Sequence, residues 1–196
     1  DVEAATRLFD ECRRLAERES PFLRWHAAMG QAQLARRAGD DEEATRHFEA
    51  ALAFVREAIA GGLDNRMVRV AIVVTLRELG HLAEIHGDVP TAVRYQQESL
   101  EWARRVGEPR LVARTLEGVA GALSLGKQAD EGARLLGVAA ATREGVDAEL
   151  PDGERADLAR VTARLREQLG DERFEAEVAH GRDEHAAGEG RAVTPR

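Results

Sequence analysis

Residues 121–128 read GALSLGKQ, the stretch of this chain that most resembles a nucleotide-binding motif. The phosphate-binding loop has the pattern G-x-x-x-x-G-K-[ST], in which backbone amides hold the phosphates and the hydroxyl binds magnesium. The chain matches at Gly121, Gly126 and Lys127 but has Gln128 in the hydroxyl position. Such a loop also follows a strand, whereas the residues before Gly121 have a helical pattern. We therefore predict that GALSLGKQ does not bind a nucleotide.

The histidines do not have the spacing of a metal site. His81 and His86 are five residues apart with Glu84 between them, and His180 and His185 have the same spacing. Two histidines that share a metal on one helix are four residues apart, because that spacing places both rings on one face. No catalytic set of side chains stands out from the many carboxylates of an acidic chain. We predict no metal, no cofactor and no enzymatic activity.

Composition limits the classes of partner. The chain has 196 residues, of which 33% are charged, and a formal net charge of −8. Because affinity for nucleic acid depends on clustered basic residues, we expect no direct binding to nucleic acid. The apolar runs are too short to span a membrane. A single cysteine, Cys12, favours a reducing compartment, so we expect a cytoplasmic protein. Because the chain starts at Asp1 and not at Met, we expect it to be an excised domain or a processed fragment.

Helix signals run along the whole chain, and strand signals are scarce. Aromatic residues make up only 4% of the sequence, and Ala, Leu, Arg and Glu dominate. Ser20-Pro21, Pro90 and Pro109 mark helix starts, and Asp40 with Glu43 has the spacing of a capping box. These signals predict an all-α protein of about nine helices, at residues 2–19, 21–38, 41–60, 66–86, 89–106, 109–125, 129–143, 152–169 and 171–186.

Three segments that begin at a glycine are related to one another. They read GDDEEATRHFEAAL, GDVPTAVRYQQESL and GKQADEGARLLGVAAA. Each places an alanine near the start of its helix, at Ala44, Ala92 and Ala133, where a small side chain lets two helices approach closely. These alanines are 48 and 41 residues apart. The pattern indicates repeated helix pairs near 21–60, 66–106 and 109–143.

The middle repeat resembles the tetratricopeptide repeat, whose signature is W-x2-L-G-x2-Y…A-x3-F…A. Leu, Ala and Gln replace the large aromatic residues of that signature here. The matching residues are Leu76, Leu79, Gly80, Ala83, Gly87, Ala92, Gln96 and Ser99. The resemblance implies a right-handed α-solenoid of antiparallel helix pairs, with residues 1–186 as one domain, 152–186 as C-terminal capping helices and 187–196 as a flexible tail.

The chain from Ala133 to Arg182 resembles the end of the tetratricopeptide region in large actinobacterial transcriptional regulators of the LuxR and AfsR/SARP types, which belong with the STAND ATPases. The matching residues are Ala133, Arg134, Leu135, Leu136, Gly137, Arg143, Glu144, Leu150, Pro151, Glu154, Arg155, Leu169, Gly170, Phe174, Gly181 and Arg182. The match ends after Arg182, where those regulators continue into an apolar helix and this chain is polar. The resemblance implies a non-catalytic regulatory domain, with nucleotide hydrolysis and DNA contact on separate domains.

In tetratricopeptide solenoids the first helix of each pair lines a concave groove. Applied to this chain, that rule predicts a groove of Met29, Gln33, Arg36, Arg37, Arg77, His81, Glu84, Arg114 and Glu117. We expect it to bind a protein partner, a peptide or an effector, including other domains of the parent protein, and its arginines favour a carboxylate-bearing partner. Alternatively, these arginines pair with neighbouring acids on a solvated face. A freestanding small-molecule-binding or enzymatic domain, and a homodimer, also stay open.

Overall fold

The computed structural model describes residues 2–16, 21–144 and 152–188, and every regular element within these ranges is an α-helix. The helices are α1 (Val2–Ala16), α2 (Pro21–Ala38), α3 (Asp41–Ala60), α4 (Arg66–Ile85), α5 (Val89–Val106), α6 (Pro109–Leu123), α7 (Ala129–Glu144), α8 (Asp152–Leu169) and α9 (Asp171–Ala186). The all-α class is confirmed, and the predicted bounds of α2 to α9 agree to within two residues. The predicted end of α1, the Cys12 side chain and residues 189–196 lie outside the described part.

Local signals in the sequence explain where the helices begin and end. Side-chain oxygens of Asp40, Asn65 and Asp88 accept hydrogen bonds from the backbone amide three residues later, at 2.9, 3.0 and 3.2 Å. Each bond satisfies an amide that has no partner inside its helix. α5 ends at Gly107, whose φ of 73° is costly for a residue with a Cβ, and Pro109 starts α6.

Each helix from α1 to α7 packs against the next helix in the chain. Because the connections between α2 and α7 are short, these neighbours run antiparallel. α4 also packs against α6, α9 packs against α7, and α8 contacts α6, α7 and α9. Thus contacts form mainly between neighbours and between alternate helices.

Several ion pairs between alternate helices have a similar sequence spacing, although Arg182 and Glu144, on α9 and α7, are 38 residues apart. Three of them join residues 42 apart, namely Arg36–Glu78, Arg56–Glu98 and Arg66–Glu108. On α7 and α9, Arg134 and Glu177 are 43 apart and separated by 2.7 Å. Equivalent positions of successive helix pairs therefore lie beside each other, and α9 lies against α7 with nearly the same spacing as α5 against α3.

The buried apolar residues form two large clusters and one small one. The first core joins α2, α3 and α4 around Phe48 and Leu76, and the second joins α5 to α9 around Leu123 and Leu165. The small cluster, Ala83, Ala92 and Ala122, lies where α4, α5 and α6 meet. Ala92 is fully buried there, as the glycine-anchored register requires.

Candidate functional site

A cavity of about 480 Å³ opens between α2, α4, α6 and α8. Pockets for small molecules typically enclose about 300–1,000 Å³, so its size suits a ligand of that class. We call it the charged pocket, and its lining residues are Arg36, Arg77, Glu78, His81, Glu84, Gln96, Arg114, Glu117, Gly118, Glu154, Asp157, Leu158, Arg160 and Val161.

The structure brings six of the nine predicted groove residues into the charged pocket: Arg36, Arg77, His81, Glu84, Arg114 and Glu117. The other three, all on α2, are not brought there. Met29 is buried in the first core, where its sulfur accepts a hydrogen bond from the Thr75 hydroxyl at 3.6 Å. Gln33 and Arg37 are exposed and do not line the pocket. Only the last turn of α2 reaches the pocket, and there Arg36 points toward α4.

Residues that the sequence did not predict come mainly from α8, through Glu154, Asp157, Leu158, Arg160 and Val161. A terminal capping helix was expected to lie at the end of the solenoid, but α8 forms one wall of the pocket. The contacts that place α8 join residues 76 and 80 positions apart in the chain. The sequence signal that could have found them is the pair Arg160 and Arg164, which share one face of α8.

Most of the charged side chains in the pocket are paired. Arg36 pairs with Glu78, and Arg143 donates two hydrogen bonds to the Glu117 carboxylate, both at 2.8 Å. Glu154 lies 2.9 Å from Arg114 and 3.4 Å from Arg143. The alternative interpretation, in which groove arginines pair with nearby acids, therefore holds for Arg36 and Arg114.

Glu84 anchors α8 to α4 from the inside of the pocket. Only 4% of its surface is exposed, and its carboxylate contacts Arg160 and lies 3.1 Å from Arg164. Burial on its own would raise the pKa of Glu84, but the contacts with His81 and Arg160 outweigh burial and hold that pKa at about 2. Glu84 is thus ionised at neutral pH and binds the two arginines of α8.

Gln96 forms the part of the lining that comes from α5. Its amide lies between Gly80 of α4 and Gly118 of α6, and Nε2 donates to the Arg77 carbonyl at 3.3 Å. A Cβ at Gly80 would lie 2.6 Å from Nε2, so a larger residue would displace the amide. The buried Oε1 has no hydrogen-bond donor among the described residues.

Arg77 differs from the other arginines of the pocket because its guanidinium forms no salt bridge or side-chain hydrogen bond with the described residues. It is surrounded by protein, and part of its surface opens into the cavity. Burial, and next the positive charge of Arg114, lower the pKa of Arg77 to about 10. The group still carries its charge at neutral pH.

The stretch GALSLGKQ forms the end of α6 and the turn into α7. A helix precedes Gly121, as predicted, and α7 begins after Lys127 at Ala129. The backbone amides of Ser124 and Gly126 already donate to carbonyls of α6. Ser124 Oγ accepts from Arg164 at 3.0 Å. The turn is therefore a contact surface for α8, and its amides do not form a phosphate cradle.

The histidines lie apart from one another. His86 Nε2 lies 3.2 Å from Asp41, whereas His81 Nδ1 lies 3.7 Å from Glu84. Over the described ranges, no group of three or more His, Cys, Asp and Glu side chains could hold a metal ion. None of the described helices is both long and apolar enough to cross a membrane.

Comparisons of the chain with protein-family models, with curated proteins and with solved structures found no match.

Proposed function

We propose that the chain is a non-catalytic helical-repeat module that binds a partner or effector in the charged pocket. The observation that carries this proposal is the convergence of Arg36, Arg77 and Arg114, which come from alternate helices, on one cavity. In a solenoid, the first helices of successive repeats together form one binding surface. A cavity lined by residues of α2, α4 and α6 supports such a surface.

A right-handed α-solenoid of the tetratricopeptide type is the architecture that this proposal requires. Ion pairs 42 residues apart join α2 to α4, α3 to α5 and α4 to the start of α6. Stacked repeats of similar length place equivalent residues side by side, which gives such a constant spacing. The 43-residue spacing of Arg134 and Glu177 supports a place for α9 in the layer of second helices, whereas α8 is bound to α4 through Glu84.

We also propose that this module is the regulatory domain of a larger cytoplasmic transcriptional regulator. Several of the residues that match LuxR-type and AfsR/SARP-type regulators lie at contacts between helices. A Cβ at Gly137 would clash with the backbone at Val178 of α9, and a Cβ at Gly181 would clash with the backbone at Arg134 of α7. Arg143 and Glu154, which also match, form an ion pair. These mutual contacts support the resemblance because they give its motif a physical role.

The test is a pull-down of the other domains of the parent protein with the variant Arg36→Glu/Arg77→Glu. Reversing two charges in the pocket should abolish capture, while circular dichroism shows an unchanged helix content. The matched control is Arg37→Glu/Arg110→Glu, which changes the net charge equally at two exposed positions outside the pocket. Undiminished capture by the pocket variant, with its fold intact, would contradict the proposal.

A further inference from the structure

Of the four arginines that line the charged pocket beside five carboxylates, Arg77 alone has no ion-pair partner among the described residues. Each of its five carboxylates has an arginine nitrogen within 3.8 Å: Glu78 pairs with Arg36, Glu84 with Arg160 and Arg164, Glu117 with Arg143, Glu154 with Arg114, and Asp157 with Arg160. Arg77 is the remaining arginine, and no described carboxylate pairs with it. Arg77 therefore presents a guanidinium with no carboxylate in contact at a defined position on α4, while Glu78, Glu154 and Glu117 favour its charge from farther away.

An unmatched cation in this position costs stability. A guanidinium surrounded by protein loses its hydration, and only an opposite charge within contact distance compensates for that loss. The nearby charge of Arg114 adds repulsion, which Glu78, Glu154 and Glu117 offset in part without contacting Arg77. An anion that enters the cavity could contact Arg77 and lie near Arg114, which also lines it. Their planar forks match the two oxygens of a carboxylate or the oxygens of a phosphate.

We propose that the charged pocket binds a small organic anion whose single carboxylate or phosphate group contacts the guanidinium of Arg77, with Arg114 beside it. This inference rests on the proposed function and specifies the ligand of that site. A cavity of about 480 Å³ suits a small metabolite.

The position of α8 favours a small molecule over a peptide. A peptide bound along the groove would have to pass the face of α6 at Gly121, but Val161 of α8 already packs there. Arg160 and Arg164 also hold α8 against Glu84. The closed wall leaves a compartment open to a compact ligand, whereas an extended chain would have to displace α8.

The charge count also limits the ligand to one anionic group. A second anionic group would lie near Glu117, Glu154 or Asp157, whose own arginines are already engaged. Like charges in a confined pocket repel strongly. Glycerate or glycerol phosphate should therefore bind better than citrate or Mg-ATP.

The test follows the Nε–Hε signals of Arg77 and Arg114 by NMR in the isotopically labelled full chain, and the Arg114 signal reports binding in the Arg77 variants. Glycerate, glycerol phosphate, inorganic phosphate, citrate, Mg-ATP and a glutamate-rich peptide are titrated separately at constant ionic strength. We expect a saturable shift with glycerate or with the phosphate probes, and the responding probe identifies the anionic group. Affinity should fall about tenfold or more in Arg77→Met and Arg77→Gln, because a charge-assisted pair is lost, and should persist in Arg37→Met.

Melting of the ligand-free variants separates a binding role from a structural one. If Arg77 is an unmatched cation, Arg77→Met should melt at or above the temperature of the wild type. A large drop would mean that Arg77 stabilises the fold and would overturn the inference. So would the absence of a saturable shift with every small anion, or equal affinity in Arg77→Met. If only the glutamate-rich peptide binds, this inference fails and the proposed function stands. If the Arg36→Glu/Arg77→Glu variant still captures its partner in the pull-down, the proposed function is refuted.

Discussion

The Gln96 side chain fills a space between α4 and α6, because each of these helices has a glycine there. Gly80 and Gly118 face each other across it, and a Cβ at Gly118 would lie 2.5 Å from Gln96 Oε1. The amide thus occupies the space that Cβ atoms at Gly80 and Gly118 would fill. Its oxygen lacks a hydrogen-bond donor among the described residues. A buried acceptor without a partner costs about 1–3 kcal/mol.

Replacing Gln96 with Met should leave the free energy of unfolding unchanged or raise it by up to about 1 kcal/mol. Met has a similar length and flexibility and removes the unpaired oxygen. Gly80→Ala should instead lower that free energy by about 1–3 kcal/mol through overpacking. Urea denaturation of both variants checks this. A loss of more than about 1 kcal/mol in Gln96→Met would mean that the amide makes a stabilising hydrogen bond.

Glu84 should make the protein sensitive to acid. Its pKa of about 2 in the folded state lies below the ordinary value of 4.5. The folded state therefore binds fewer protons, so the stabilisation is fully present above pH 4.5 and is lost as the pH falls toward 2. The loss should be on the order of 2–3 kcal/mol. Denaturation from pH 6 to 2 measures it, and the Glu84→Gln variant should lack this component. An equal slope in wild type and variant would contradict the prediction.

At the scale of helices, bounds were predictable because the signals that set them are local. Asp88 and Pro90 act within one turn of the start of α5, and Gly107 acts at its end. The tertiary place of α8 was not predictable in the same way. It depends on Arg160 and Arg164 meeting a carboxylate 76 and 80 residues away, and no periodicity in the sequence encodes that contact.

The candidate site was predictable to the extent that it depends on helical periodicity. Arg77 and His81 share one face of α4 because they are four residues apart, and the same pattern on α6 selects Arg114, which also lines the pocket. Met29 has the same periodicity but lies two turns before Arg36, where the first core covers that face of α2. Periodicity predicts which side chains share a face of a helix. The packing of neighbouring helices determines which part of that face is exposed.

Ala92 lies where α4, α5 and α6 meet, and its side chain has no exposed surface. Ala92→Leu adds three carbons at a contact with Ala83 and Ala122, so it should lower the free energy of unfolding by about 1–3 kcal/mol. Ala53→Leu makes the same change at an exposed position of α3 and should have little effect. Thermal melting of both variants gives the comparison. Equal melting temperatures of Ala92→Leu and wild type would mean that the helices can separate at this crossing without cost.

At the scale of the whole molecule, the two large cores meet at α5, where Tyr95 and Trp102 pack against the first core and Leu100 belongs to the second. The small alanine cluster joins them, together with a hydrogen bond from the Ser99 hydroxyl to the Val73 carbonyl at 3.0 Å. In an array of repeats, stability is close to a sum of local terms and nearest-neighbour contacts. Weak coupling should let one half lose structure before the other. Trp25 of α2 packs against the first core, so in a Trp102→Phe background its fluorescence reports that half alone.

Leu165→Ala tests this coupling, because Leu165 is fully buried in the second core. Removing its side chain should destabilise that half by about 2–5 kcal/mol. Helix content, followed by circular dichroism in urea, should then begin to fall at a lower urea concentration than the tryptophan signal changes. The matched control, Leu76→Ala in the first core, should move the tryptophan transition itself. If the two signals still coincide in Leu165→Ala and shift together, the alanine junction couples the cores strongly. The chain would then unfold as one cooperative unit, and a ligand bound at Arg77 would stabilise both halves equally.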